Sequence, residues 1–302
     1  MRLVILSRSK NLHSTRRLMQ ECAKLGVECY VINPLRCQLS LRKGSPEIIV
    51  YNRRLDKIDA VLPRIGTSIT EYGLLVVRQF ESMGVRVLNS SDAILNSRNK
   101  FRGLQACAAG NIDIPHTVLS RSLSDLSSAV RMIKNFPMVL KLLQGSQGIG
   151  VMLGYDRTSV ESILATMLDM DKDVLIQQFI RESQGCDIRA LVIDGKVVAA
   201  MKRQARNGEF RANIHRGGWG ETFKLPKAYE RMALQATKAV GLDIAGVDLL
   251  ESSHGPKLLE INSSPGFQEL EKATGKNIAE LMVKLALKKA KGKKRKNTRR
   301  KK

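Results

Sequence analysis

The sequence predicts an α/β protein made of two successive units, a parallel α/β unit over residues 1–91 and a mixed α+β unit over residues 92–287. Three observations carry this. In the first unit, short apolar runs alternate with helix-length amphipathic stretches, as in a parallel sheet joined by crossover helices. At Ile114-Pro115 an extended segment cuts off a helical pattern, because proline lacks the N–H that a continuing helix needs. With 302 residues and 43% hydrophobic content, the chain has core for roughly two domains, which excludes wholesale disorder.

Leu3-Val4-Ile5-Leu6 is a buried strand, and 14–25 is a helix stopped by Gly26. A second strand over 27–32 closes at Asn33-Pro34. Strands follow at 48–50, 60–62 and 85–88, the last two flanking a helix over 70–83. The second unit opens with a helix over 98–109 ended by Gly110, then the extended segment 114–118 and a helix over 123–135. Strand 138–142, the glycine-rich stretch 145–150, strand 151–154, helix 160–169 and strand 174–179 come next. Strands 188–193 and 196–201 meet at Asp194-Gly195, which signals a type I′ hairpin. A polar loop and a helix over 228–240 precede a final strand pair, 245–251 and 257–262. Residues 288–302 carry 11 basic residues and no acidic one, and are expected to be a disordered tail.

The formal charge of +23 leaves nucleic-acid binding open, since phosphate neutralisation needs only Lys and Arg. An aromatic content of 4%, with none in the tail, disfavours a protein that stacks single-stranded bases. No apolar run approaches the roughly 20 residues of a membrane span. The strand pattern begins at Leu3 without a signal-peptide cleavage region, so a cytoplasmic protein with no membrane partner is expected. Five cysteines at irregular spacings fit reduced thiols better than a disulfide framework or a zinc site.

The strongest constellation is Asp248 on one strand with Glu260 and Asn262 on the next. Side chains alternate along a strand, so Glu260 and Asn262 share a face, and a hairpin brings Asp248 beside them. Two carboxylates and an amide oxygen suit a hard cation such as magnesium or manganese. Lys141 ends a strand before Gly145-Ser146-Gln147-Gly148-Ile149-Gly150, whose unobstructed N–H groups can cradle phosphate. Gln178 and Phe179 close another strand, with Asp187 in reach of ribose hydroxyls. Arg189, Lys202, Arg203, Arg211 and Arg216 cluster as candidate binders of carboxylate or phosphate.

The order Lys100, Lys141 with its glycine-rich loop, Gln178-Phe179, Asp248 and Glu260-Ile261-Asn262 resembles the ATP-grasp superfamily over about residues 92–287. Within it, the stretches 96–100, 144–151, 185–189, 210–218 and 260–266 are similar to the RimK-type α-L-glutamate ligases. That resemblance implies an ATP-grasp fold behind a substrate-side α/β domain, and carboxylate–amine ligation through an acyl phosphate. It assigns Lys100, Lys141, Gly145, Ser146, Gly148, Gly150, Gln178, Phe179, Asp187, Arg211, Ala212 and Asn213 to ATP, with 145–150 as a water-excluding lid. Asp248, Glu260 and Asn262 would hold two magnesium or manganese ions. Arg203, with Arg189, would hold the acyl phosphate or an acceptor carboxylate. The implied substrates are L-glutamate and the C-terminus of a small-subunit ribosomal protein, with poly-α-glutamate as product. A homo-oligomer is expected, and contact with ribosomal RNA through the tail. The alternatives are a related ligase acting on an amino-group carrier protein or a small-molecule carboxylate, and a basic nucleic-acid-binding protein.

Overall fold

A computed structural model describes residues 1–143, 150–170, 172–206, 209–210, 212 and 218–299, with side chains as far as 292. The first unit contains β1 (Arg2–Leu6), α1 (His13–Lys24), β2 (Glu28–Ile32), β3 (Cys37–Ser40), β4 (Glu47–Val50), β5 (Arg53–Arg54), β6 (Ala60–Pro63), α2 (Thr70–Ser82) and β7 (Arg86–Val87). Strands β2-β1-β6-β7 form a parallel sheet in that order, and β3-β4-β5 form a small antiparallel one. Both faces of β1 are covered, so its run of apolar residues shows no polar alternation. Leu3 and Ile5 join one core cluster, Val4 and Leu6 another.

Next come α3 (Ser91–Arg98), α4 (Lys100–Ala109), β8 (Thr117–Ser120), α5 (Leu126–Ile133), β9 (Met138–Leu142), β10 (Val151–Gly154), α6 (Arg157–Asp169) and β11 (Val174–Gln178). Strands β10-β9-β11-β8 make an antiparallel sheet. The chain continues through β12 (Cys186–Ile193), β13 (Lys196–Gln204), β14 (Trp219–Thr222), α7 (Lys227–Val240), β15 (Ile244–Ser252) and β16 (Gly255–Asn262). These five strands form the largest sheet, antiparallel in the order β14-β13-β12-β15-β16, before α8 (Gln268–Thr274) and α9 (Ile278–Arg299). At the β12–β13 turn Asp194 and Gly195 have φ of 51° and 71°, the left-handed pair that a type I′ turn needs.

Several elements escape the sequence pattern. β5 is two exposed arginines and β14 is a polar edge strand, so neither shows apolar alternation. The helix expected from residue 98 begins at Ser91 as α3 and breaks at Asn99, whose side chain accepts from Arg102 N and caps α4. A disordered tail from residue 288 is also corrected at its start. α9 runs through that point, Ala290 is buried, Lys288 pairs with Asp194, and Lys289 pairs with Asp194 and Asp243.

The two units share a core. Residues of β1, β6 and α1 pack with one face of the large sheet, α8 and α9 in one cluster. Asn89, which is buried, stitches this joint. Its Nδ2 donates to the Ile244 and Ser263 carbonyls, and its Oδ1 accepts from Asp243 N and Ile244 N, all at 2.7–2.8 Å.

Candidate active site

Strand register gathers six polar side chains on one face of the large sheet. Asp187 lies opposite Arg203, Arg189 opposite Asp248, Asp248 opposite Glu260, and Gly246 opposite Asn262. Opposed residues share a face, as do residues two apart on a strand. Asp187, Arg189, Arg203, Asp248, Glu260 and Asn262 therefore point the same way. Lys202 points the other way and pairs with Glu251. Gly246 lets the chain after β16 fold back closely, because a Cβ there would sit 2.7 Å from Pro265 Cβ.

At the centre of this face two carboxylates and two guanidinium groups alternate. Arg203 donates to both oxygens of Asp187, and its Nη2 lies 3.0 Å from Asp248 Oδ2. Arg189 clasps Asp248 with Nε at 2.7 Å and Nη2 at 2.6 Å. Burial opposes the charge on Asp248, and the two arginines overcome it, holding that carboxyl well below its usual range. Burial pushes the Asp187 carboxyl up to about 6, against the pull of Arg203. Both arginines line the cleft: Arg203, with its side chain 4% exposed, bonds two carboxylates, and Arg189, 17% exposed, bonds one.

The β10-β9-β11-β8 sheet forms the facing wall. Lys141 Nζ donates to Gln177 Oε1 at 2.6 Å, and Gln177 Nε2 donates to Thr117 Oγ1 at 2.8 Å. Lys100, the first residue of α4, reaches the Leu142 carbonyl at 3.3 Å. A lysine at a helix N-terminus is opposed by the helix dipole. Burial pushes Lys141 down to about 8, with Glu260 resisting and Lys100 adding to the fall. Lys100 is lowered by burial as well, again against Glu260. Across from them Asn262 Nδ2 donates to Glu260 Oε1 at 3.1 Å.

Between the walls is a cleft of about 740 Å³, within the usual size of a small-ligand site. Gln178, Phe179, Asp187 and Ala212 also line it. Gln178 is held by His116, just before β8, its N–H donating to the His116 carbonyl and its Oε1 accepting from His116 N. Gly150 has φ +72°, and a Cβ there would meet Leu142 at 2.6 Å. Gly145, Ser146, Gly148, Arg211 and Asn213, with Arg216, lie outside the described residues. Gln177, the partner of Lys141, was missed by sequence reasoning. Alternation separates Gln177 from Gln178, but only the pairing of β11 with β9 shows which one lies beside Lys141.

Residues 97–286 match the family model of the RimK-like ATP-grasp domain, and residues 1–94 match that of the RimK PreATP-grasp domain. The chain belongs to the RimK-like ATP-grasp family. It is accordingly an ATP-dependent ligase that works with a divalent metal. A relative from Alcanivorax borkumensis, described as a "probable alpha-L-glutamate ligase", is 45% identical over 94% of each chain. The ATP-grasp ligase PsnB, solved with a minimal precursor, superposes with a TM-score of 0.74 at 19% identity, covering 95% of this chain and 98% of its own. A RimK domain ATP-grasp protein from Sphaerobacter thermophilus gives 0.72 at 21% identity, covering 95% and 100%. These two likenesses show the ATP-grasp fold.

The residues of this RimK-like chain fit a divalent ion. Glu260 and Asn262 offer hard oxygen donors beside two lysines suited to phosphate, while both oxygens of Asp248, the third expected ligand, are held by Arg189 and Arg203. Among the described residues, no three His, Cys, Asp or Glu side chains converge closely enough to hold an ion by themselves. A partial protein shell of this kind suits magnesium, which keeps ligands from bound phosphates and water.

Proposed function

We propose that this ligase extends the C-terminus of a small-subunit ribosomal protein with L-glutamate. ATP phosphorylates the terminal α-carboxylate, the glutamate amine attacks the acyl phosphate, and ADP and phosphate leave. Carboxylates are poor acyl donors, so the phosphoryl group supplies the leaving group, and a divalent cation held there would supply neutralisation of charge on the transferring oxygens. Lys100 and Lys141 bind the phosphates, with the loop over 145–150 closing above them. Gln178, Phe179 and Asp187 border the nucleoside, and 211–213 reach the phosphate end. Glu260 and Asn262, with Asp248, hold the metal. Arg189 meets the acyl phosphate, while Arg203 holds Asp187 and Asp248 in place.

One observation carries this: across a single cleft, two depressed lysines face a carboxylate–amide pair on a sheet braced by arginine. Each addition leaves a new glutamyl α-carboxylate, so product resembles substrate and a run of variable length is expected. The residues after Gly292 carry eight cations and no acidic residue, and suit an acidic or RNA-bound acceptor. The test is to incubate the protein with ATP, magnesium, each amino acid in turn and candidate acceptors, then weigh the acceptors. A ladder of glutamate increments on α-carboxyls supports the proposal. A single uniform addition, or γ-linked product, refutes it and points to a small-molecule ligase.

A further inference from the structure

A second concentration of positive charge lies beyond the C-terminal ends of the parallel sheet. From β1 the chain passes through α1 to β2 on one side, and from β6 through α2 to β7 on the other. Where such connections diverge, an open α/β sheet leaves a crevice outside its strand ends, and ligands bind there. Arg64 follows directly after β6, Arg98 ends α3, and His13 begins α1.

Phe267 and its loop join Arg64 to His13, and Arg98 reaches the carbonyl next to Arg64. Arg64 Nη2 donates to the Pro265 carbonyl at 2.7 Å, and its guanidinium lies 5.6 Å from the Phe267 ring centroid. His13 meets the same ring edge-on at 6.2 Å. Arg98 Nη2 donates to the Ile65 carbonyl. His13, Arg98, Pro265, Gly266 and Phe267 line one end of the cleft that also holds Glu260 and Asn262. The connecting loop leaves β16 directly after Asn262, so this crevice adjoins the phosphate end of the cleft.

These cations lack a counter-charge among the described residues. Both arginines bond carbonyl oxygens there and no carboxylate. Arg64 Nε, Arg98 Nε and His13 Nδ1 are buried without a hydrogen-bond partner among those residues. Burial pushes Arg64 down to about 10, and Arg98 adds like-charge repulsion. Burial lowers Arg98 too. No side chain caps α1, and its first turn carries no acidic residue, so the positive end of its dipole adds to the field. Two guanidinium forks beside a helix N-terminus match the planar, bidentate geometry of a carboxylate.

We propose that this crevice holds a non-reacting carboxylate of the substrate, with Arg64 and Arg98 as its anchoring residues. Its source is a glutamyl side chain, either of the incoming amino acid or of the acceptor's last residue, and this rests on the glutamate-ligase reading above. Anchoring that carboxylate would direct the reacting end of the same molecule toward Glu260 and Asn262.

The experiment compares full-length wild type, Arg64→Met, Arg98→Met and Arg98→Lys. Each is assayed with L-glutamate against L-glutamine, and with acceptor peptides ending in glutamate against glutamine, while ADP affinity is measured separately. Wild type should prefer the acidic partner by at least about tenfold in kcat/KM in one of the two comparisons, and that comparison identifies the source. Each Met variant should erase the preference through KM while binding ADP normally, and Arg98→Lys should restore part of it. Should Arg64→Met fail to fold for want of its bond to Pro265, the two Arg98 variants decide. Preference retained in Arg98→Met, absence of preference in an active wild type, or a matching fall in ADP affinity overturns the inference. Absence of glutamate-dependent ADP release in wild type overturns instead the function on which it rests.

Discussion

Raising the pH from 7 to 9 should weaken nucleotide binding, because Lys141 titrates within that interval. Burial and the Lys100 charge bring its ammonium group down to about 8, with Glu260 opposing. A bound phosphate favours the charged lysine, so binding takes up a proton whenever the free site is neutral. With a free-site pKa near 8, the charged fraction falls from about nine-tenths at pH 7 to about one-tenth at pH 9. Affinity should then drop about tenfold, close to 1.4 kcal/mol. The phosphate's own ionisation, near pH 6, lies below this window. Calorimetric titration of ADP at constant ionic strength, in buffers of different ionisation enthalpy, measures both the affinity and the proton uptake. Lys141→Arg keeps its charge across the range and should flatten the profile. Lys141→Met should bind weakly at every pH. A wild-type profile that is flat, or one that Lys141→Arg reproduces in full, would refute the role of this lysine.

Glu260→Gln should stop ADP release without moving the melting temperature, since Glu260 bonds only Asn262 among the described residues. Asp248→Asn should stop turnover and also destabilise by roughly 3–5 kcal/mol in denaturant titration, because it takes the anion from half-buried Arg189 and leaves buried Arg203 with Asp187 alone. Asn89→Ala strands two carbonyls and two N–H groups in the joint between the units, and should cost at least about 3 kcal/mol in the same measurement. Truncation after Gly292 should preserve the melting temperature and weaken capture of an acidic acceptor only at low salt. Truncation after Leu287 should lower the melting temperature, since it removes buried Ala290 and the Lys288 and Lys289 ion pairs.

Much of the site is legible in the chain because its signals are local. The alternation of Glu260, Ile261 and Asn262 on one strand follows from backbone geometry, and the Asp194-Gly195 turn makes a hairpin of the strands around it. The convergence of Asp248 with Glu260 needed one further step, the pairing of successive strands, and β15 and β16 make it. Gln177 was not legible, since its face depends on β9 as well as β11. Nor was the length of the ordered C-terminus. A lysine-rich run has no apolar stripe of its own, yet Asp194 and Asp243 are waiting for it on the body.

By itself the sequence determined the α/β class, the strands that carry the chemistry, and the superfamily to which their ordered motifs belong. Those depend on covalent geometry, turn conformation and residue type, all read over a few neighbouring positions. Tertiary structure alone decided what each charge lies beside. It set Arg203 against Asp187 and Asp248, set Arg189 against Asp248, and depressed Lys100 and Lys141 opposite Glu260. It also brought Arg64 and His13 to one phenylalanine, with Arg98 on the carbonyl next to Arg64. The reason is that a charge acts through its distance to other charges and to water, and those distances exist only once sheets from distant parts of the chain have closed on one another.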